Sequence, residues 1–425
     1  MRRELDVEKA LIAACLIDPD AFVTACEYVN PDSFSQPQHQ DIFRAMLELD
    51  KNNEPIDLVT LGDKVDSVSY LTGLHNYLPS AANAEQYAKM VQEKSQRTEI
   101  RRVLSESLKS ISKDNHEVDD VVSRLDRALV EIMDSNSREG AVEIGEAAQR
   151  RWEQYEEMYE NDEDTIGYTS GYDSIDSVHG GFMPGEQTVL AARPSMGKSA
   201  LAVNIALRAA ERGVKVAIFS LEMSTEAWID RALADSMGID GSQLKRGKIG
   251  NWEKVSEGIA KLDGLPIHID DTSQTTFQIR AVCRRIAKHK GLDLVVVDYL
   301  GLLQDPIEHG KNYVAHIGDM SKALRSMGKD YDGSILLLHQ LNRANEKEGR
   351  RPRLSDLRDS GEIEQHADVV WFLHPDKKRN EKVGPGKAGI DLIVAKQRHG
   401  QTPDIPLVFE GKYTRFAEID WRYHD

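Results

Sequence analysis

The chain has 425 residues and a formal net charge of −17, with 40% hydrophobic and 29% charged residues and three cysteines. This composition is typical of a globular protein of two or more domains, and the lack of an apolar run long enough for a bilayer or a signal peptide predicts a cytoplasmic protein with no membrane partner. Three cysteines argue against a disulfide framework or a fused zinc-ribbon module, and the acidic charge argues against indiscriminate nucleic-acid binding, so any nucleic-acid site must be confined.

Residues 1–134 are predicted to form an all-helical N-terminal domain. Apolar residues recur at helical spacing from Val7 to Cys15 and again from Ile42 to Leu47. From about Glu93 the pattern indicates two long helices on either side of the polar break 113–116, as in a helical hairpin. The apolar stripes of the hairpin could close on each other. We find no set of catalytic residues in this domain.

Residues 135–166 are predicted to form a linker that contains one helix. After the polar stretch 134–140, this helix carries apolar side chains on one face, and an acidic segment follows it. The residues on the face are Ile144, Ala148, Trp152, Tyr155 and Tyr159. An apolar face on an isolated helix needs a surface to cover it. That surface could belong to the neighbouring domain of the same chain or to another subunit.

From residue 167 to the end of the chain, short apolar strands alternate with helices. This alternation predicts an α/β domain over residues 167–425, with a mainly parallel sheet that helices cover. The candidate strands are Gln187–Leu190, Val216–Leu221, Leu294–Val297, Ser334–Leu338, Val369–Leu373, Asp391–Ala395 and Ile405–Glu410.

A phosphate-binding loop follows the first of these strands. The loop and the start of the next helix consist of Arg193, Pro194, Ser195, Met196, Gly197, Lys198, Ser199 and Ala200. Main-chain N–H groups at such a helix start form an anion site, Lys198 would reach the β- and γ-phosphates of a nucleotide, and Ser199 would bind Mg²⁺. Ala192 stands where the strict pattern has glycine, and alanine resists a positive φ. The strand before the loop and the amphipathic helix after it still favour a nucleotide site over an ordinary turn.

Five further residues could complete a phosphoryl-transfer site. Asp298 ends an apolar strand, where a carboxylate can hold the water shell of Mg²⁺. Glu222 follows another strand and could activate the attacking water, or it could belong to a helix cap. Gln340 could sense the γ-phosphate or merely open a loop. Lys396 and Arg398 share one face of a strand and could neutralise phosphate charge on a neighbour's nucleotide, or they could protect a solvated edge strand.

Together these motifs resemble the DnaB-type replicative DNA helicases. The resemblance extends in order over nearly the whole chain, and the family accepts alanine at Ala192. The segments that carry it are Pro55–Leu61, Pro79–Asn83, Ala191–Ser199, Ser220–Ser224, Asp298–Leu300, Gln340–Arg343, Leu357–Asp368 and Lys396–Arg398. The chain is on the short side for a cellular member, which is compatible with a phage-encoded copy.

The resemblance implies an ATP-driven helicase that moves 5′ to 3′ on single-stranded DNA. The C-terminal part would be a RecA-like ATPase domain, and six copies of the chain would form a ring around the strand. Lys198 and Ser199 would bind the phosphates of ATP and Mg²⁺, and Asp298 would support the metal. Glu222 would activate water, and Gln340 would couple the state of the nucleotide to the DNA loops.

The resemblance also implies contacts with other subunits, with DNA and with partner proteins. The nucleotide site of the adjacent subunit would include Lys396, Gln397 and Arg398, and the side chains of Lys396 and Arg398 would reach its nucleotide. The family's DNA-backbone loop matches Arg358, Asp359 and Gly361. The helix from Ile144 to Tyr159 would dock on the next subunit. The N-terminal domain would form a collar that binds primase and a helicase loader.

Three histidines depart from the family pattern, and two other classes of protein stay open. The three are His339, His366 and His399. They could affect the coupling of the nucleotide state to DNA, the preference for a loader and the response to pH. A RecA-like recombinase or a clock-type ATPase is disfavoured by the helical N-terminal domain and by the pair Lys396 and Arg398. A non-motor, ATP-gated DNA loader or adaptor would bind DNA without unwinding it, so unwinding of a forked duplex with a 5′ tail separates it from a helicase.

Overall fold

The computed structural model describes most of the chain, which divides into two compact units, Met1–Ala147 and Ala148–Asp425. The described residues are 2–52, 54–65, 68–111, 121, 122, 124, 125, 128, 132, 143–161, 165–307, 312–341, 350–357, 361–376, 380, 381 and 383–419. In this part of the chain, no helix is both long enough and apolar enough to cross a membrane.

The N-terminal unit is built from helices, as predicted. They are α1 Arg2–Ile17, α2 Pro19–Tyr28, α3 Pro37–Lys51, α4 Leu58–Gly62, α5 Val68–His75 and α6 Ala84–Ile111. Side-chain caps fix some of the helix starts, because Asp18 accepts a hydrogen bond at the start of α2 and Asp57 does so at the start of α4. The apolar stripes of α1 and α3 meet in one core, in which Leu11, Ile42 and Phe43 are fully buried.

The long helix α6 differs from the prediction. The sequence pattern placed the start of the first hairpin helix near Glu93, whereas α6 runs without a break from Ala84 to Ile111. Its first half contacts α1 and α2, with Val91 buried. Its second half is mostly exposed and carries ion pairs one turn apart, such as that between Arg102 and Glu106, which support a solvated helix. The second predicted hairpin helix falls largely outside the described residues.

A buried polar network ties the helices of this unit together. The Glu8 carboxylate of α1 accepts hydrogen bonds from His39 Nδ1 (2.8 Å), Lys94 Nζ (2.6 Å) and Ser35 Oγ (2.5 Å). His39 Nε2 lies 2.8 Å from the hydroxyl of Tyr70. Burial alone would raise the pKa of Glu8, but these hydrogen bonds lower it to about 2. Glu8 is therefore ionised at neutral pH, and its charge links α1, α3 and α6.

The linker helix is α7, Ile144–Asn161. Its predicted apolar face is exposed, since Trp152 and Tyr155 keep 59% and 50% of their surface accessible. The predicted polar stretch 134–140 lies outside the described residues. The exposed apolar side chains support the expectation that α7 needs a partner surface.

Among its described residues, the C-terminal unit is organised around a nine-stranded sheet. The strands are β1 Gln187–Ala192, β2 Val216–Ser220, β3 Ile267–Asp270, β4 Leu294–Asp298, β5 Ser334–Gln340, β6 Val369–Pro375, β7 Lys387–Gln397, β8 Asp404–Glu410 and β9 Arg415–Glu418. Their order is β3-β2-β4-β5-β1-β6-β7-β8-β9. The strands from β3 to β6 are parallel, and those from β6 to β9 are antiparallel. The prediction of a mainly parallel sheet and its seven strands is confirmed, whereas β3 and β9 were not predicted.

Helices cover both faces of this sheet. They are α8 Asp173–His179, α9 Lys198–Glu211, α10 Thr225–Met237, α11 Gly241–Lys245, α12 Trp252–Asp263, α13 Thr276–Lys290, α14 Tyr313–Asp330 and α15 Gly361–His366. Neighbouring residues of a strand point to opposite faces, so Leu190 packs in the core with α9 and Val189 packs in the core with α13 and α14. Burial on both faces explains the continuous apolar strands and leaves the carboxyl ends of the parallel strands as the place for a ligand.

Candidate nucleotide-binding site

The phosphate loop has the predicted strand–loop–helix arrangement. β1 ends at Ala192 and α9 begins at Lys198, and between them Ser195 (φ 65°) and Gly197 (φ 88°) have positive φ angles. Ala192 is paired with both neighbouring strands, so the positive φ that alanine resists is not required there. Gly197 is required, because a Cβ at this position would lie 2.9 Å from Cζ of the buried Phe416 ring.

Lys198 and Asp298 face each other where β1 and β4 end. We call this side, where β1, β2, β4 and β5 all end, the carboxyl-end edge of the sheet. Lys198 Nζ lies 3.3 Å from Asp298 Oδ1, and only 9% of each side chain is exposed. In the described part of the chain, neither of these two atoms has a hydrogen-bond partner. The ammonium also lies 4.7 Å from the ring centre of Tyr299.

These residues fit a nucleoside triphosphate with Mg²⁺. Buried charged groups with unused hydrogen-bonding capacity are costly unless a ligand completes them, and phosphate oxygens would complete Lys198. Among the described residues, no group of three or more His, Cys, Asp or Glu side chains could hold a metal. Mg²⁺ is bound by one or two protein groups together with phosphates, and here Ser199 and Asp298 would supply the protein groups.

Glu222 lies beside Asp298 at the same edge. The N–H groups of Leu221 and Glu222 donate to the carbonyl of Asp298, at 2.7 Å and 3.2 Å. The alternative role for Glu222, a helix cap, is filled by Ser224, whose hydroxyl accepts a hydrogen bond from the N–H of Ala227 in α10. Glu222 therefore lies outside α10 with its side chain exposed, in a position where it could contact a water beside bound phosphates.

Gln340 ends β5 next to the phosphate loop. It is in register with Ala192, and the N–H of Leu341 donates to the carbonyl of Ala192 at 3.2 Å. The Arg193 guanidinium of the loop donates to the carbonyl of Arg350. The phosphate loop is thus in direct contact with segments that flank residues 342–349. Those residues lie outside the described part of the chain.

Lys396, Gln397 and Arg398 lie at the opposite side of the sheet, the amino-end edge, where β1 and β6 begin. β7 is antiparallel to β6, so Gln397 pairs with the first residue of β6, whereas Ala192 pairs with the fifth. Four residues span about 13 Å along a strand, and the phosphate loop continues away from that point. The structure therefore does not bring these three residues to the phosphate loop of their own chain.

Both cations contact main-chain carbonyls at the end of α15. Lys396 Nζ donates to the carbonyls of Glu364 (2.5 Å) and Ala367 (2.8 Å), and Arg398 Nη2 donates to that of Gln365 (2.8 Å). Burial, assisted by the charge of Arg398, lowers the pKa of Lys396. β7 pairs with β6 up to Gln397, whereas its pairing with β8 ends at Ile393. Lys396 nevertheless binds two main-chain carbonyls instead of extending into solvent, which does not fit the alternative of protective charges on a solvated edge strand.

Two family models match the chain, the DnaB-like helicase C terminal domain over residues 167–418 and the DnaB-like helicase N terminal domain over residues 1–93. The chain belongs to the DnaB-like replicative helicase family. It is 34% identical to the replicative DNA helicase DnaB of Geobacillus stearothermophilus and 33% identical to the replicative DNA helicase DnaC of Bacillus subtilis, in both cases over 100% of this chain and 96% of the relative.

Solved structures agree with this membership. A DnaB-like replicative helicase, described with its interactions with primase, matches with a TM-score of 0.68 and 25% identity over 98% of this chain and 100% of that chain. A second solved structure, of an isolated ATPase domain, matches with a TM-score of 0.59 and 30% identity over 66% of this chain and 100% of that chain. The predicted fold class, an all-α N-terminal part before a RecA-like ATPase domain, is confirmed.

The predicted DNA-contact residues of this DnaB-like chain are only partly described. Arg358 and Asp359 lie outside the described residues, whereas Gly361 is the first residue of α15. The three histidines that depart from the family pattern occupy different environments. His339 is buried in β5, His366 ends α15, and His399 is exposed with Nε2 3.9 Å from the Glu186 carboxylate.

Three residues of the site were not predicted from the sequence: Arg231, Tyr299 and Phe416. Burial lowers the pKa of Arg231, while the charges of Asp298 and Glu222 oppose that effect. Tyr299 directly follows Asp298 and could have been found from that position. Phe416 comes from β9, at the far end of the chain, and no local pattern links it to the phosphate loop.

Proposed function

We propose that this chain is an ATP-driven replicative helicase that moves 5′ to 3′ on single-stranded DNA and unwinds duplex DNA at a replication fork. One observation carries the proposal. Lys198 and Asp298 lie at the carboxyl-end edge of the sheet, and Lys396 and Arg398 lie at the amino-end edge. A nucleotide site divided in this way is complete only where two copies meet. Such a protein would act in the cytoplasm of a bacterium or of a phage-infected host.

Five residues of one subunit have proposed roles in ATP binding and hydrolysis. Lys198 binds the β- and γ-phosphates, and Ser199 and Asp298 hold Mg²⁺, which stabilises the charge of the transferring phosphoryl group when it is bound. Glu222 orients the attacking water and accepts its proton. Gln340 lies in register with the end of β1, so its amide can report the presence of the γ-phosphate to the segment that follows β5.

The remaining nucleotide contacts are proposed to come from the adjacent subunit. Lys396, Gln397 and Arg398 of one copy would face the phosphate loop of the next. An arginine supplied in this way accelerates phosphoryl transfer by about 10³–10⁵ in related enzymes. The separation of these residues from their own phosphate loop supports a role in a neighbouring site.

The proposed assembly is a homohexameric ring with residues 1–134 as a collar domain, 135–166 as a linker and 167–425 as the motor domain. The exposed Trp152 of α7 supports docking of the linker helix on an adjacent copy. α12 offers an apolar counterpart, because Trp252 is 67% exposed and Ile259, two turns further along the same face, is 54% exposed.

DNA and two proteins are the proposed partners of the ring. Arg358, Asp359 and Gly361 would contact the backbone of single-stranded DNA, partly through main-chain N–H groups. Contacts of this kind suit a protein with a net charge of −17 because they need no extended basic surface. Primase and a helicase loader would bind the collar domain. The primase proposal is supported by the solved relative that was described with its interactions with primase.

The test of this function is ATP-dependent unwinding of a forked duplex with a 5′ tail. We expect unwinding with a 5′ tail and none with only a 3′ tail. Lys198→Ala should lose ATP turnover because it removes the charge on the phosphates, and Glu222→Gln should bind ATP normally while hydrolysis falls by orders of magnitude. DNA binding with ATP hydrolysis but without unwinding would instead indicate a loader or adaptor.

The role in the adjacent subunit is tested by mixing two nearly inactive variants, Arg398→Ala and Glu222→Gln. Mixed rings contain interfaces that pair an intact Glu222 with an intact Arg398 from the next subunit, so we expect hydrolysis to recover. A fluorescence assay of subunit exchange provides the control. If subunits exchange and mixed rings remain inactive, Arg398 does not act on a neighbour.

A further inference from the structure

Asp368 is a buried carboxylate at the amino-end edge of the sheet, between α15 and β6. Only 2% of the residue is exposed. Its Oδ2 accepts hydrogen bonds from the main-chain N–H of Gln187 (3.0 Å) and from Arg325 Nε (3.0 Å), and its Oδ1 accepts one from Arg325 Nη2 (2.8 Å). Arg398 Nε also lies 3.2 Å from Oδ1. Because four donor groups contact its two oxygens, the Asp368 carboxylate has little freedom to rotate.

The same carboxylate orients Arg398. Besides the Nε contact with Asp368, Nη2 of Arg398 donates to the carbonyl of Gln365, and the main-chain N–H of Arg398 donates to the carbonyl of Asp368 at 3.1 Å. The Nη2 contact is a hydrogen bond, whereas the Nε contact with the Asp368 carboxylate is an ion pair. The side chain remains 40% exposed, so the guanidinium is anchored through Nε and Nη2 and is still accessible from outside the subunit.

We propose that Asp368 is a positioning residue that presents Arg398 to the nucleotide of the adjacent subunit. The inference rests on the proposed role of Arg398 in the neighbouring site. The carboxylate is attached to the first residue of β1 through Gln187, and the last residue of β1 leads into the phosphate loop of the same subunit. The direction of the Arg398 guanidinium is therefore set by the rigid sheet rather than by the side chain alone. The competing explanation is that Asp368 only neutralises the partly buried Arg325.

Asp368→Asn is the informative substitution, because it keeps the size of the side chain and removes its charge. We expect kcat for ATP to fall by about 10- to 100-fold, as misplacement of a reacting group by about 1 Å can do, and the Kd for ATP to stay within twofold of wild type. Arg325→Gln is the matched control. It removes two of the donors that hold Asp368 but leaves the charge of Asp368 and its contact with Arg398 in place, so the loss of kcat should be clearly smaller than in Asp368→Asn.

A second measurement separates positioning from a structural defect. Asp368→Asn subunits have an intact Glu222, and Glu222→Gln subunits have a correctly oriented Arg398. Mixed rings of the two should therefore recover hydrolysis, because the defect of Asp368→Asn lies in what the subunit offers to its neighbour. If Asp368 acts through β1 on its own phosphate loop, mixing will not restore activity and the inference is overturned.

Epistasis with Arg398→Ala completes the test. In the Arg398→Ala background, Asp368→Asn should cause no further loss of kcat, whereas an additional tenfold loss would mean that Asp368 works by another route. If Asp368→Asn alone does not fold, the double variant with Arg325→Gln removes both buried charges and is measured against Arg325→Gln. A wild-type kcat in Arg398→Ala would refute the proposed role of Arg398 in the neighbouring site and this inference together. A large loss in Arg398→Ala, with a wild-type kcat in Asp368→Asn, would end this inference alone.

Discussion

Gly197→Ala tests whether contact with Phe416 shapes the phosphate loop. Gly197 has a φ of 88°, which costs an alanine about 1–2 kcal/mol. Its new Cβ would also lie 2.9 Å from the Phe416 ring. That ring is fully buried and lies 4.7 Å from the ring of Phe409, so it has little room to move. Overpacking of this kind costs about 1–3 kcal/mol, and the expected total is about 2–5 kcal/mol.

Gly213→Ala is the matched control for this substitution. Gly213 follows α9 with a φ of 92°, but a Cβ there would have no atom within 4 Å. It should therefore cost only the conformational part, about 1–2 kcal/mol. Calorimetry of the full chain should show a clearly larger loss of unfolding free energy for Gly197→Ala than for Gly213→Ala, measured on the unfolding transition that ATP shifts. Only Gly197→Ala should also lose affinity for ATP. Equal losses in the two variants would refute the argument from the Phe416 contact.

Three other substitutions have clear expectations. Glu8→Gln should cost the N-terminal unit about 3 kcal/mol at neutral pH, from the difference between pKa values of 4.5 and about 2. Because the folded pKa is depressed, this stabilisation is complete above about pH 4.5 and is lost as the pH falls towards 2, so urea unfolding should show a smaller cost at pH 3. Trp152→Ala should weaken ring assembly by about 2–4 kcal/mol in sedimentation, and a ring intact at nanomolar concentration would place α7 within its own chain. Arg231→Gln should lower kcat about tenfold or more with little change in ATP affinity, and an unchanged kcat would remove Arg231 from the site.

The parts of the site that are local in sequence could be predicted. The phosphate loop joins a strand to a helix within a few residues, and Asp298 and Glu222 each follow a strand directly. Because the carboxyl ends of parallel strands meet at one edge, the order of motifs along the chain was enough to bring Lys198, Asp298 and Glu222 together. The concern about Ala192 was a local error, since the positive φ falls at Ser195 and Gly197 instead.

The contacts that could not be predicted join distant parts of the chain. β3 and β9 have four residues each, and together they contain only one buried residue. The sequence therefore has no continuous apolar run that would indicate either strand. Without β9, the Phe416 contact that requires glycine at position 197 cannot be inferred. The start of α6 was misplaced for a related reason. Burial of its first half against α1 and α2, and exposure of its second, make one helix look like two segments with different periodicity.

The partners of the interior charges also depend on tertiary structure. Asp368 stands in a recognised motif, but nothing in the spacing of the sequence shows that it meets both Arg325 and Arg398. Likewise, the spacing of Lys396 and Arg398 on one face of a strand does not distinguish protective charges on a solvated edge strand from a catalytic role. The contacts of both cations with carbonyls at the end of α15 argue against a solvated edge strand, and those contacts are a property of the tertiary structure.

The geometry of β1 also restricts the kind of assembly that can complete the nucleotide site. Its six residues separate the phosphate loop from the edge that holds Arg398 by roughly 17 Å, and the two edges of a sheet face opposite directions. A copy must therefore use one edge towards one neighbour and the other edge towards a second neighbour. Repeated contacts between unlike surfaces of this kind close into rings or extend into helices, whereas a two-fold dimer brings the same surface patch of each copy together. A functional particle that proved to be a two-fold dimer would contradict the divided site, whatever its ATPase activity.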